Sequence, residues 1–336
     1  MGVRLKMGAA MVCLLALGAG AQTAPQTVRI QTYAGSTGPL QAVVASAKGF
    51  CGKHGIECEL KVLNSGPLGM QTLVGKTIDV AMPEINAAIA SAAGGADVQL
   101  LSGSVARPIF TLVARSDVKL PNLAKGYPAV MHDLKGMKIG VTARGAGSEL
   151  QLVQLLRSAG MSAADVTMVP VGGPGTAYAA LVTGKQVDAL MMFQPVKTLC
   201  AISRNCVKVV DPAAGEGPAD VLAQDGASTP FVARREWIEA NPRLVTALLA
   251  AFADAEAWAK KPENFEELVR IYEPITPLKV PDADAIRRSW LKDSLAVYSL
   301  NLKRSAVQAA IRQAEADKLI TRHVDVARFV SSHAPQ

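Results

Sequence analysis

Between residues 134 and 180 the chain twice runs from a short apolar strand into a turn of small residues and on into a helix. Few folds admit that order. The strands are 138–141 (KIGV) and 166–171 (VTMVPV). The turns are Thr142-Ala143-Arg144-Gly145-Ala146-Gly147-Ser148 and Gly172-Gly173-Pro174-Gly175-Thr176. A strand feeding a helix feeding the next strand makes a parallel sheet covered by helices, so the chain is α/β. The turns then collect at the carboxyl ends of the strands, where open α/β sheets bind their ligands. Helix starts expose unpaired N–H groups and a partial positive charge, and glycine lets a ligand come close to the backbone. The pair of turns, with one arginine between them, describes a grip on a small polar or anionic molecule.

The same alternation extends both ways. Strands are expected at 27–31, 57–62, 78–82, 99–104 and 110–114, with helices at 68–74 and 85–93 between them. A polar stretch with Pro121, Gly126 and Pro128, residues 115–133, has the look of a crossing between lobes. A second lobe then runs to about 227, with strands at 189–193 and 207–210. The strand 229–233 is expected to return to the first lobe. From Asn241-Pro242, a helix cap followed by proline, the chain is helical to its end. The expected division is 1–21 as a signal peptide, 22–114 and 228–336 as one lobe, and 115–227 as the other.

The first 21 residues have the three parts of a secretory signal: basic Arg4 and Lys6, an apolar run over 7–17, and Ala19-Gly20-Ala21 as the cleavage site. The run is too short to span a bilayer. Cys13 lies inside it without the small preceding residue of a lipoprotein signal. A soluble, exported, periplasmic protein is therefore expected. The other four cysteines, Cys51, Cys58, Cys200 and Cys206, then face an oxidising compartment. Four cysteines allow three pairings. The local pairs 51–58 and 200–206 are favoured, because each ties a helix end to the next strand. His54, His132, His323 and His333 are scattered and the cysteine spacings do not suit zinc, so no metal is expected. The formal charge of +7 falls to about +5 without Arg4 and Lys6. The basic residues are dispersed and aromatics are few, which gives nucleic-acid binding no support.

Several elements in this order carry a family likeness. They are Gly38-Pro39, the stretch 75–81 (GKTIDVA), 133–141 (DLKGMKIGV), 171–174 (VGGP), 181–189 (LVTGKQVDA) and Asn241-Pro242. The chain resembles the periplasmic solute-binding proteins of ABC importers, in the group that takes nitrate, sulfonates, taurine and pyrimidine precursors. The resemblance covers nearly the whole exported chain. It implies the two-lobe periplasmic binding protein fold of type II, mostly parallel sheets flanked by helices, with one small solute in the cleft between lobes. It implies hinge closure read by a membrane permease, no bond-making chemistry, no cofactor, and a monomer.

Candidate ligand contacts follow from the turns. Ser36, Thr37 and Gly38 open the first helix, either as donors to the solute or as an ordinary cap. Glu84 follows the third strand and either accepts from an amine or amide of the ligand or sits as a first-turn carboxylate on the helix dipole. Family members place small neutral residues there, so an exclusively anionic ligand is in question. Arg144 suits bidentate contact with a carboxylate, sulfonate or phosphate, or else a salt bridge to Glu149 or Glu84. Gly145, Ser148, Gly173 and Thr176 offer donors from the two turns. Gln194 is placed to meet solute or bridge the lobes. Tyr33, Tyr178 and Phe193 are wall candidates, and Arg107 reads as structural.

Enzyme signatures are weak. Ser148 lacks the following glycine of a nucleophile elbow, Gly145-Ala146-Gly147 lacks the third glycine of a dinucleotide loop, and the cysteine-rich motif of pyrimidine-making enzymes of this fold is absent. A sensory module that touches a membrane receptor is the other alternative, and the sequence does not separate it from transport.

Overall fold

The computed structural model describes residues 1, 2, 25–36 and 38–335, so the proposed signal segment and Thr37 lie outside the described residues save for the first two positions. Ten strands make two sheets. They are β1 (Gln26–Thr32), β2 (Ile56–Val62), β3 (Val80–Ala81), β4 (Val98–Val105), β5 (Phe110–Arg115), β6 (Lys138–Val141), β7 (Thr167–Pro170), β8 (Ala189–Phe193), β9 (Cys206–Val210) and β10 (Thr229–Arg234). The first sheet has the order β2-β1-β3-β10-β4 and the second β7-β6-β8-β5-β9. In each, four strands run one way and one runs against them: β10 in the first, β5 in the second. The alternation of strands and helices dictates the parallel part. The two reversed strands are those that arrive from the other lobe.

One placement differs from the sequence reading. Residues 110–114 were expected to end the first lobe, yet β5 sits between β8 and β9 in the second sheet. Its side chains explain why. Phe110, Leu112 and Ala114 enter one apolar cluster with Ile139, Val141, Leu152 and Met191, while Val113 enters the cluster on the other face with Leu181 and Leu190. A strand buried on both faces belongs at a sheet centre. The chain therefore changes lobe at 106–109. Residues 115–133 begin the second lobe, with Val130, Met131 and Leu134 packed in its core.

Helices cover both sheets. Helix Pro242–Ala259 presents Leu244, Val245, Leu248, Ala251 and Phe252 to the first sheet and to helix Leu40–Ala47. Phe252 meets Phe231 of β10 with ring centroids 4.7 Å apart, and burying a side chain of that size contributes about 1.5–3 kcal/mol. Helix Arg304–Ala316 packs Val307, Ala310 and Ile311 against helix Ile85–Ala93. In the second lobe, helix Gly147–Ser158 buries Leu152, Leu155 and Leu156. Disulfides join Cys51 to Cys58 and Cys200 to Cys206, with Cα atoms 5.9 and 4.8 Å apart. Each pins a helix to the neighbouring strand. Among the described residues, no helix is long and apolar enough to cross a membrane.

The repeated glycine-lysine-aspartate element does the same job in each lobe. Lys76 and Lys185 take left-handed backbone, with φ of 62° and 46°, and an aspartate follows three residues later. Asp79 accepts from the backbone N–H of Arg29 on β1 at 2.9 Å, and Asp188 from that of Lys138 on β6 at 3.0 Å. Each aspartate also meets the arginine that ends its lobe's reversed strand. Arg234 of β10 lies 3.7 Å from Asp79, and Arg115 of β5 lies 3.4 Å from Asp188. The reversed strands are thus anchored at the ends remote from the ligand turns. Their first residues, Thr229 and Phe110, lie at the ligand-turn end, where Gly226 N–H bonds across to Ala106 O at 2.9 Å.

Candidate functional site

The carboxyl ends of the two sheets face each other across a small, partly open cavity of about 40 Å³. Tyr33 and Met82 extend from β1 and β3, and Phe193 ends β8 in the opposite lobe. Tyr33 donates its hydroxyl to Met82 O at 2.7 Å, which holds its ring edge-on to Phe193 at 6.4 Å. Phe110, the first residue of β5, packs against Phe193 at 6.1 Å. Ser36, Gly38, Glu84, Thr142, Gly147 and Thr229 also border the cavity. A second compartment of about 100 Å³ shares Ser36, Gly38 and Phe193 and continues outward past Gln194, Lys197 and Asp293.

Glu84 is the charged group of the inner cavity among the described lining residues, and Tyr33 is the other titratable one. Glu84 caps helix Ile85–Ala93. Its Oε2 accepts from Asn86 N–H at 3.0 Å and its Oε1 from Asn86 Nδ2 at 2.9 Å. It is 8 % exposed. Burial pushes its carboxyl up to about 8, against the pull of the Asn86 bonds. Helix Gly147–Ser158 comes from the other lobe and lays its first residue on this side chain. A Cβ on Gly147 would stand 2.5 Å from Glu84 Cβ and 2.9 Å from its Oε2. Only glycine permits that approach. Gly38 is less confined: a Cβ there would first meet the flexible end of the Met82 side chain, Cε, at 2.9 Å.

The structure brings together Ser36, Gly38, Glu84, Tyr33 and Phe193, with Gln194 on the outer compartment. Ser36 Oγ accepts from Gly38 N–H at 3.0 Å, so it caps its own turn while facing the cavity. Gln194 Oε1 accepts from Thr198 N–H and Oγ1, each at 3.2 Å, and begins the next helix. The other candidates face elsewhere. Arg144 is exposed and pairs with Glu149 at 2.9 Å, on a separate groove with Arg157 and Asp317. Gly145 N–H donates to the same Glu149 at 2.5 Å. This turn already holds an anion, and the anion is its own glutamate. Ser148 is fully buried and bonded to Thr142 N–H and Oγ1, each at 2.9 Å. Thr176 turns back on Val171 O and Gly173 O. Gly173 approaches Ala34 O of the first lobe at the rim, where a Cβ would stand 3.9 Å away. Tyr178 bonds Ser203 on the outside. Thr142 and Gly147 belong to the turn that the sequence singled out but were not named as contacts themselves, and Thr229 was not a candidate. Strand position alone does not say which way a side chain points.

Comparison with known proteins agrees with this architecture. A protein of Brucella abortus strain 2308, named as a binding protein, is 28% identical over 229 residues. The match covers 68% of this chain and 66% of that relative, just under two thirds of its length. The alkanesulfonate-binding protein SsuA of Xanthomonas axonopodis pv. citri, solved with bound MOPS, superposes with a TM-score of 0.71 at 18% identity, covering 93% of this chain and 99% of that one. The periplasmic nitrate-binding protein NrtA of Synechocystis PCC 6803 superposes with a TM-score of 0.61 at 21% identity, covering 79% and 70%. These likenesses establish the periplasmic binding protein fold, with two mixed α/β sheets. The NMT1-like family model matches residues 22–273, and the chain belongs to the NMT1-like family.

Proposed function

We propose that this protein is the extracytoplasmic solute-binding component of an ABC importer. It captures one small polar solute between its lobes by hinge closure and makes no bonds in it. The observation that carries the reading is the inner cavity, walled by Tyr33 from one lobe and Phe193 from the other and bordered by Glu84 and Gly147 in contact across the cleft. A site shared between two bodies is emptied by separating them, which suits capture and release. The naming of relatives for sulfonate, nitrate or general binding supports the same role.

The signal-like start supports export to the periplasm, and the partner in this reading is a membrane permease. Ser36, Gly38, Glu84, Thr229 and the two aromatic walls are the proposed contacts, with Gln194 on the outer compartment. Arg144 has no part in it, since Glu149 occupies its guanidinium. Solution scattering tests the model directly. With a solute found by thermal-shift screening, the radius of gyration falls on binding, and hydrogen exchange slows at 82–86, 106–110 and 226–230. Binding with unchanged dimensions and protection elsewhere removes the reading, as does chemical turnover of the solute.

A further inference from the structure

We propose that Glu84 and Thr229 recognise a small cation of the amidinium or ammonium type with a short apolar body, so that the inner cavity does not take an oxyanion. The inference rests on the cleft being the capture site and names what it captures. Two independent observations meet there. The donors that reach Glu84 are placed for a carboxylate: Asn86 gives one N–H to each oxygen, the Ala87 backbone adds a further one, and the starts of two helices, Ile85–Ala93 and Gly147–Ser158, abut the side chain. A carboxylate offers about four acceptor sites, so capacity remains for a ligand donor. Thr229 Oγ1 is buried on the same cavity and has no hydrogen-bond partner, although the residue is only 2 % exposed. A buried hydroxyl left unpaired is costly, so a ligand polar group completes it.

What the cavity lacks is a cationic side chain. Among its described lining residues there is no lysine, arginine or histidine, and Tyr33 is the sole titratable companion of Glu84. Of the nearby charges, Glu149 at the start of helix Gly147–Ser158 is tied to Arg144 outside the cavity, and Lys197 beside the outer compartment is tied to Asp211 at 2.7 Å. A sulfonate or nitrate would find no cationic side chain here and could be met by Glu84 only as a protonated donor, whereas a cation supplies the charge that lets the buried carboxyl ionise. The faces of Tyr33, Phe110 and Phe193 add a setting that favours cations and suits an apolar body. Because burial holds the Glu84 carboxyl largely protonated at neutral pH, arrival of a cation ionises it and passes its proton to the buffer.

Acetamidinium and benzamidinium chlorides, with sodium nitrate and ethanesulfonate as the opposing probes, test this on the purified protein. The expected result is a rise in melting temperature with at least one amidinium. Calorimetry near pH 7 then shows heat that varies with the ionisation enthalpy of the buffer, the mark of proton release. Glu84→Gln weakens that binding tenfold or more. Thr229→Val weakens it severalfold and keeps the proton release, which covers the case of a poorly folding Glu84 variant. Binding of an amidinium with no proton release overturns the assignment, and so does failure of both amidiniums to bind. Stabilisation by nitrate or ethanesulfonate that survives Glu84→Gln and compacts the protein overturns the ligand class but leaves capture between the lobes standing. Amidinium binding that protects amides only outside the cleft overturns both.

Discussion

Gly147 shows how one residue sets whether the lobes can meet. Its backbone lies where any side chain would collide with Glu84. Gly147→Ala is expected to fold normally, because the residue opens a helix at the lobe surface, yet to lose affinity about tenfold or more. That loss follows from a closed state held apart by one methyl, at roughly 1.4 kcal/mol per factor of ten. Calorimetry and circular dichroism together check it, and unchanged affinity would mean the closed state does not bring these residues together. Glu84 gives a second expectation at this scale. Its folded-state carboxyl is raised from 4.5 to about 8, so the folded protein binds more protons than the unfolded chain between those values. The contribution is fully present below pH 4.5 and is lost as pH rises to about 8. Denaturant titrations of the unliganded protein are expected to show stability falling through that window by up to about 5 kcal/mol, at about 1.36 kcal/mol for each pH unit between the two values. Glu84→Gln is expected to flatten the slope. Glu84 was legible in the sequence because it follows a strand at a ligand turn. Arg144 follows a strand in the same way, and only the side-chain geometry shows that Glu149 claims it.

At the scale of elements, the local pieces were legible and one long-range placement was not. The two strand–turn–helix units stand where periodicity and glycine put them, and the return strand β10 lies in the first sheet. The cysteine pairs were legible because each partner is the nearest other cysteine in the chain, across a helix end. β5 was misplaced because a short apolar run carries no label for the lobe it joins. Its neighbours β8 and β9 are more than 70 residues further on in the chain. The disulfides each close a short loop, and each is expected to contribute roughly 2–3 kcal/mol. Non-reducing peptide mapping is expected to recover the pairs Cys51–Cys58 and Cys200–Cys206. The double replacement Cys200→Ala/Cys206→Ala is expected to lower the melting temperature by several degrees, and free thiols at all four positions would contradict the pairing.

At the scale of the whole molecule, polar side chains join the two lobes away from the cavity. Arg157, on helix Gly147–Ser158 of the second lobe, forms a salt bridge with Asp317, which follows helix Arg304–Ala316 of the first, and Gln154 reaches the same carboxylate at 3.5 Å. Exposed pairs of this kind contribute about 0–1 kcal/mol. Arg157→Ala is therefore expected to speed solute release and to weaken binding by up to about fivefold, with little change in the association rate. Stopped-flow displacement checks this, and a purely slower association would assign the pair to another role. The hinge itself follows from the aspartates that anchor β5 and β10. A rod clamped at one end transmits rotation without stretching. With Arg115 fixed on Asp188 and Arg234 fixed on Asp79, the closure proposed above would bend the few residues beside Ala106 and turn each lobe as one piece. In the proposed transport role, a partner resting on both lobes would then register an angle and no change of relief, so one docking face would serve every solute that fits the cleft. Crystals with and without solute are expected to show each lobe superposing on itself, with only the angle between them altered.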